Sequence, residues 1–208
     1  MREFSIGLDL DGVVYEWDKT ARYMLRRRID QKLARVPTEL FFPSVSYNSI
    51  QEIVSPGDWD WLWTDGITEG LYRYGHVVQG AMEGVKALTN LGDVTIITSR
   101  PKAAVNDTIA WLAMMFHQAP LAGIVIQSNG QRKSEVHPTP NVYVDDMPHI
   151  ADDLLDHTDS SVVLLDQPWN ATYEGGTEDQ FLRRLKLYRA KGWPQVVHAV
   201  TDIKEAGL

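Results

Sequence analysis

Five short apolar runs rich in β-branched residues punctuate the chain: Phe4–Leu10, Val94–Thr98, Ile124–Gln127, Val142–Val144 and Val162–Leu165. Unbroken apolar runs of this length predict strands covered on both faces. Helical spacing fills the intervals. Ala81–Leu91 sets Val85 and Leu88 on one face. A segment opening at Pro101, a residue suited to a first helical turn, aligns Val105, Ile109, Leu112 and Phe116. Pro148–Leu155 and Glu178–Ala190 predict two more helices, and the tail from Trp193 to Ile203 reads as helical packing. Strand–helix alternation predicts an α/β architecture, a parallel sheet between helical layers. In such sheets ligands sit beyond the carboxyl ends of the strands.

The stretch from Tyr15 to Gln79 breaks this rhythm. It starts helical over Asp18–Arg35, then turns irregular at Pro37, Pro43, Pro56 and Gly57. It carries Trp59, Trp61 and Trp63. The pattern divides the chain into a core, 1–14 with 80–208, and a small, mainly helical insert, 15–79.

Composition narrows the chemistry. The 208 residues carry 20 Lys and Arg against 28 Asp and Glu, a net charge of −8, which counts against a nucleic acid polymer as partner. With no Cys, thiol nucleophiles, Cys-ligated zinc and disulfide frameworks are excluded. Met1–Leu8 meets Asp9 and Asp11 too soon for a secretory signal, and no apolar run approaches membrane-spanning length. The expectation is a cytoplasmic protein without a membrane partner.

Polar residues collect at the predicted strand ends. Asp9 and Asp11 close the first strand on one side of an extended backbone, and Gly12 permits a sharp turn. Two converging carboxylates suit a hard cation such as Mg²⁺, and one can serve as a nucleophile. Taken singly, they are also an ordinary solvated strand end. Thr98, Ser99 and Arg100 close the second strand before Pro101, where hydroxyls, free N–H groups and a guanidinium would cradle a phosphate; a plain helix cap is the alternative. Lys133 follows the third strand in the loop Asn129–Lys133, with Arg132 adjacent as a second candidate cation. Asp145 and Asp146 close the fourth strand, and adjacent carboxylates call for a nearby cation. Placement of every group at a strand tip argues for one site.

This series resembles the haloacid dehalogenase-like (HAD) hydrolase superfamily: a DxD motif at Asp9 and Asp11, a hydroxyl at Thr98, Lys133, and the acidic pair Asp145–Asp146. The narrower resemblance is to its 5′(3′)-deoxyribonucleotidase branch. It rests on Asp9–Val13 followed by Trp17, on Thr98–Pro101, on Val144–Pro148 and on Leu165–Asn170. Met147 departs from members that carry an Arg after the acidic pair.

The resemblance implies a Rossmann-like three-layer sandwich with a small cap inserted after the first strand. It implies a Mg²⁺-dependent phosphomonoesterase for a small phosphate ester, a nucleoside monophosphate. Asp9 would attack phosphorus, and Asp11 would protonate the leaving group and then activate water. Asp9, the Asp11 backbone carbonyl and Asp146 would hold the metal, with Asp145 orienting it or Lys133. Gly12, Trp17, Ser99 and Arg100 would contact substrate, Trp17 against the base. A homodimer stays open as its assembly. Rival readings are a phosphatase for a sugar phosphate and a nucleotide-binding protein without catalysis. Dehalogenation fits less well, since it needs neither the Asp11 acid nor a metal pair. The Trp59/Trp61/Trp63 group reads first as a core for the insert, and Arg26–Arg28 as a solvated helix face. The stretch Asp166–Asn170 reads equally as site support or as a plain turn.

Overall fold

The computed structural model describes residues 4–46, 48–127, 130–173 and 185–207. The apolar runs at Ile6–Leu8, Val142–Val144 and Val162–Leu165 are buried on both faces, whereas Ile124 is exposed. The strands are β1 (Ser5–Leu8), β2 (Asp93–Thr98), β3 (Gly123–Ile126), β4 (Val142–Asp145), β5 (Ser161–Leu165) and β6 (Leu187–Ala190). They form one sheet in the order β3-β2-β1-β4-β5-β6, and every pair is parallel. The helices are α1 (Trp17–Gln31), α2 (Ser49–Ile53), α3 (Pro56–Leu62), α4 (Asp65–Thr68), α5 (Ala81–Leu91), α6 (Val105–Met115), α7 (Pro148–His157) and α8 (Trp193–Ala206).

Alternation along each strand sorts the core into two layers. Ile6, Leu8, Val94, Ile96, Val142, Val144, Val163 and Leu165 join Val85 and Leu88 of α5 and Val196, Val200 and Ile203 of α8. The intervening Ile97, Tyr143, Val162 and Leu164 meet Ala151, Leu154 and Leu155 of α7. Each such fully buried side chain contributes about 1.5–3 kcal/mol. The outcome is the expected Rossmann-like three-layer sandwich, with the β1 and β4 tips at its centre.

Several boundaries differ from the sequence reading. The first strand stops at Leu8, which frees Asp9 and Leu10 for the turn that follows. Pro101 opens a short 3₁₀ turn, Lys102–Ala104, and α6 begins only at Val105. Ile109, expected on the buried stripe, is exposed, and Trp111 takes its place because its indole N–H reaches the Gly75 carbonyl at 2.9 Å. The helix expected over Glu178–Ala190 is corrected at its end: Leu187–Ala190 is strand β6, pairing with β5. Its earlier part lies outside the described residues, as does Asn129.

A second apolar cluster gathers residues from the segment between β1 and α5. Ala21, Leu25 and Ile29 of α1 pack with Leu40, Ile50, Trp61, Leu62 and Leu71, and the cluster closes on Ala104 from the sheet side. Helix α1 ends earlier than expected, at Gln31, because Leu33 adopts a left-handed φ of 56° and the Leu33 and Ala34 N–H groups return to Asp30 and Ile29. Ser55 caps α3 by accepting from the Asp58 N–H at 3.1 Å, ahead of Pro56 at the first turn.

Candidate active site

The β1 tip is shaped by a turn that only Gly12 permits. Its φ is +87°, and a Cβ there would lie 2.3 Å from Asp146 Oδ2. The Val13, Val14 and Tyr15 N–H groups all point to the Leu10 carbonyl. Gln167 Nε2 donates to the Gly12 carbonyl at 2.6 Å, and Trp193 Nε1 to the Val13 carbonyl at 3.0 Å. The turn that carries Asp9 and Asp11 is thus fixed from both sides.

Asp9, Lys133, Asp145 and Asp146 meet beside it, all buried. Lys133 Nζ donates to Asp9 Oδ1 at 2.7 Å and to Asp145 Oδ2 at 2.6 Å. The loop carrying Lys133 is held by Tyr143, whose hydroxyl donates to the Lys133 carbonyl, and by Gln127, whose amide donates to the Arg132 carbonyl at 2.8 Å. Arg132 itself is exposed and pairs with Glu135 and Asp153. Of the two loop cations, Lys133 is therefore the one that reaches Asp9 and Asp145. Burial works against its charge, but Asp145 and Asp9 outweigh that and hold its ammonium above the usual range.

One oxygen each of Asp9, Asp145 and Asp146 lies within 4.8 Å of the others. Burial pushes the Asp9 carboxyl up to about 7, with Asp145 and Asp11 adding to the rise and Lys133 opposing it. Burial, then Asp145 and Asp9, likewise raise Asp146 well above the usual carboxylate range. Asp145 spends Oδ2 on Lys133 and Oδ1 on the N–H groups of Asp146 and Met147, each at 2.9 Å. It thus caps the turn into α7 and orients Lys133 at once. Asp146 accepts from Trp169 Nε1 at 2.8 Å through Oδ2, while its Oδ1 is buried and makes no hydrogen bond. A buried, unpaired carboxylate oxygen beside two more carboxylates is the arrangement a divalent cation relieves, so these residues fit Mg²⁺.

Asp11 has a different environment. Arg100 Nε and Nη2 clasp its carboxylate at 3.0 and 2.6 Å, and it lies outside the three-carboxylate cluster. Arg100 was expected to cradle a phosphate. It lines the strand-tip cleft, and its guanidinium is enclosed between the rings of Tyr15 and Tyr72, 4.4 and 4.7 Å from their centroids, and donates to Thr108. Arg100 thus sets where Asp11 sits. Thr98 is buried at the β2 tip, and exposed Ser99 reaches Gln127 at 3.3 Å.

These groups open into a cleft of about 390 Å³. Its far wall is aromatic. Trp17 stacks on Trp63 at 5.6 Å, and Trp59 meets Trp63 edge-on. The Trp group expected as insert core is divided: Trp61 is buried in that core, Trp59 packs against it and also lines the cleft, and Trp63 lines the cleft. Ser44, Asn48 and Gln51 also line it and were not singled out by the sequence reading. Gln127 was missed as well, although its place as the polar end of an apolar strand was the available signal. At the β5 tip Trp169 and Gln167 make the contacts described, and Asn170 Nδ2 donates to the Asp146 carbonyl at 2.8 Å. That stretch supports the site.

Comparisons with known proteins bear on the family and the fold. The family model "5′ nucleotidase, deoxy (Pyrimidine), cytosolic type C protein" matches residues 2–200. No curated protein sequence matches. Among solved structures, the HAD hydrolase YfnB of Bacillus subtilis bound to magnesium superposes with a TM-score of 0.65 at 10% identity, covering 97% of this chain and 100% of that one. A haloacid dehalogenase-like hydrolase of Streptococcus pneumoniae gives 0.63 at 12% identity, covering 94% and 97%. A HAD family hydrolase of Deinococcus radiodurans with bound phosphate and sodium gives 0.60 at 13% identity, covering 96% and 95%. These neighbours share the fold. The family match spans nearly the whole chain, and the chain belongs to the cytosolic type C deoxy-5′-nucleotidase family, HAD-like phosphoric monoester hydrolases.

Proposed function

We propose that the protein is a Mg²⁺-dependent 5′(3′)-deoxyribonucleotidase that hydrolyses nucleoside monophosphates through an aspartyl-phosphate on Asp9. The observation that carries the reading is the Lys133 bridge between Asp9 and Asp145 beside the unpaired Asp146 oxygen, at the foot of a tryptophan-walled cleft. Asp9, Asp146 and the Asp11 backbone carbonyl would hold the metal. Bound there, Mg²⁺ would offset charge on the phosphoryl group.

The chain's own residues divide the rest. An Asp9 oxygen attacks phosphorus, and the bond to the ester oxygen breaks. Asp11 gives its proton to the departing alkoxide, releasing the nucleoside. Asp11 then takes a proton from water, which attacks phosphorus, frees phosphate and restores Asp9. Lys133 lies where it can stabilise the equatorial phosphoryl oxygens. Thr98 and Ser99 supply hydroxyls at the β2 tip. Trp17 offers a ring for the base, and residues 15–79 act as the cap that carries this wall. The family is a cytosolic type, and on that ground the reading extends a cytoplasmic location to this chain.

A substrate panel tests the reading. In the presence of Mg²⁺, deoxynucleoside monophosphates should turn over with kcat/KM well above that of sugar phosphates. Equal or faster turnover of sugar phosphates would reject the nucleotide assignment and leave a phosphatase for another ester.

A further inference from the structure

Helix α1 borders two clefts. Trp17 and Asp18 on its first turn line the strand-tip cleft. Further along, Lys19, Tyr23, Arg26, Arg27 and Arg28 line a second cavity of about 530 Å³, closed by Tyr74. Lys19, Tyr23, Arg26 and Arg27 follow helical spacing, so the cavity is walled by one stripe of α1. In a chain of net charge −8, four cations here face one lining carboxylate among the described residues, Glu69.

Their charges are poorly neutralised. Among the described residues, Arg26 and Arg27 form no ion pair; they lie over the rings of Phe41 and Tyr23. Arg28 sits over Trp61, 5.1 Å from the ring centroid, and is 3.9 Å from Asp58, which is already bound to Lys32 and Ser55. The Arg28 Nε is buried and makes no hydrogen bond. Lys19 has an exposed contact with Glu16 at 3.3 Å. Adjacent guanidiniums repel one another, and an unpaired buried donor is costly. An anion in the cavity relieves the repulsion.

The shape of the site narrows the class of anion. Lys19 and Arg26 are seven residues apart, about 10 Å along the helix axis. A chain of phosphates spans that distance and can engage cations at both ends of the stripe at once. Tyr23 carries Arg27 on its ring, whereas Tyr74 leaves 68% of its surface exposed and provides a ring for a base to stack on. A nucleic acid strand is disfavoured by the overall negative charge. We propose that this cavity is a second, non-catalytic binding site for a nucleoside polyphosphate.

Its position gives such binding a consequence. The cavity lies against both crossings between sheet and insert. Glu16 N–H donates to the His76 carbonyl at 2.9 Å, Val78 N–H to the Val14 carbonyl at 2.8 Å, and Gly75 N–H to the Tyr15 hydroxyl at 2.8 Å. A ligand bridging α1 to Tyr74 would tie these crossings together. The inference does not depend on the nucleotidase reading, because it can be tested by binding alone.

The test is calorimetric titration of the full chain with ATP and, separately, with inorganic tripolyphosphate, in chelator to keep metal from the strand-tip site. ATP should bind with a stoichiometry of one. The double variant Arg26→Glu/Arg27→Glu should weaken it by about tenfold or more, with basal turnover unchanged. Trp17→Ala should leave ATP binding unaltered. Tripolyphosphate should bind about tenfold more weakly than ATP. Tyr74→Ala should weaken ATP and not tripolyphosphate, a check that stands even if the double variant is unstable. Absence of ATP binding, insensitivity to the double variant, or loss of binding in Trp17→Ala would overturn the proposal. Equal affinity for tripolyphosphate would overturn its nucleoside part.

Discussion

The two clefts beside α1 hold charge in opposite ways. At the strand tips Asp9, Lys133, Asp145 and Asp146 are each less than 10% exposed. Three carboxylates there face one ammonium, and every side-chain oxygen except Asp146 Oδ1 and one of Asp9 has a partner. In the other cleft, Arg27 is exposed and Arg26 and Arg28 are half-buried over aromatic rings, with few acids nearby. Buried charges must be paired by geometry or they unfold the site; exposed ones cost little and contribute little until a ligand arrives. The first arrangement is suited to bond-breaking, the second to capture.

Lys133 should show the largest effect of this contrast. Lys133→Met leaves Asp9 and Asp145 facing each other without a cation. Turnover should fall by about 10²–10³-fold, and stability by about 3–5 kcal/mol, read by phosphate release and by denaturant melts. Arg132→Met, one residue away but exposed, should change stability by less than about 0.5 kcal/mol. Equal effects at the two positions would erase the distinction.

A smaller effect is expected at the aromatic wall. Trp17→Ala should raise KM for nucleoside monophosphates by about tenfold, with kcat nearly unchanged and little effect on a phosphate ester that lacks a base. A fall in kcat at constant KM would remove Trp17 from base binding and leave it as packing.

The smallest effect is in the pH dependence of melting. Asp9 moves from its ordinary value of 3.8 up to about 7 on folding, and Asp146 also rises. A raised carboxyl makes the folded state bind the extra proton. Its stabilisation is complete below about pH 4 and fades as pH rises through about 7. The metal-free protein should therefore lose Tm over this window from these groups. Mg²⁺ competes with the same protons, so its gain in Tm should be larger at pH 8 than at pH 5. A metal shift independent of pH would place the cation elsewhere.

Much of the strand-tip site was legible because tertiary placement follows from strand polarity. Parallel strands bring their carboxyl ends together, so apolar runs ending in Asp9, Thr98 and Asp145 announce one locus. Pairings across the chain were less legible. The pairing of Arg100 with Asp11 was hidden because Asp11 lies on another strand tip, and the Tyr15 and Tyr72 rings that enclose Arg100 come from elsewhere in the chain. Strand β6 was hidden because Leu187–Ala190 sits at the sheet edge, half-covered, with Arg189 bound to Asp166 and Asn170 rather than buried by pattern. In the insert, α2, α3 and α4 are only five, seven and four residues long, too short for a helical period to emerge. The end of α1 at Leu33 carries no Gly or Asn to signal a left-handed stop.

The most direct test of the central claim is phosphate release from a nucleoside monophosphate by Asp9→Asn in saturating Mg²⁺. The substitution keeps the side-chain shape and removes the nucleophilic oxygen. The account predicts a loss in kcat on the order of 10⁴-fold, in a variant that remains folded by its melting profile. Turnover equal to that of the unsubstituted protein would contradict Asp9 as the nucleophile.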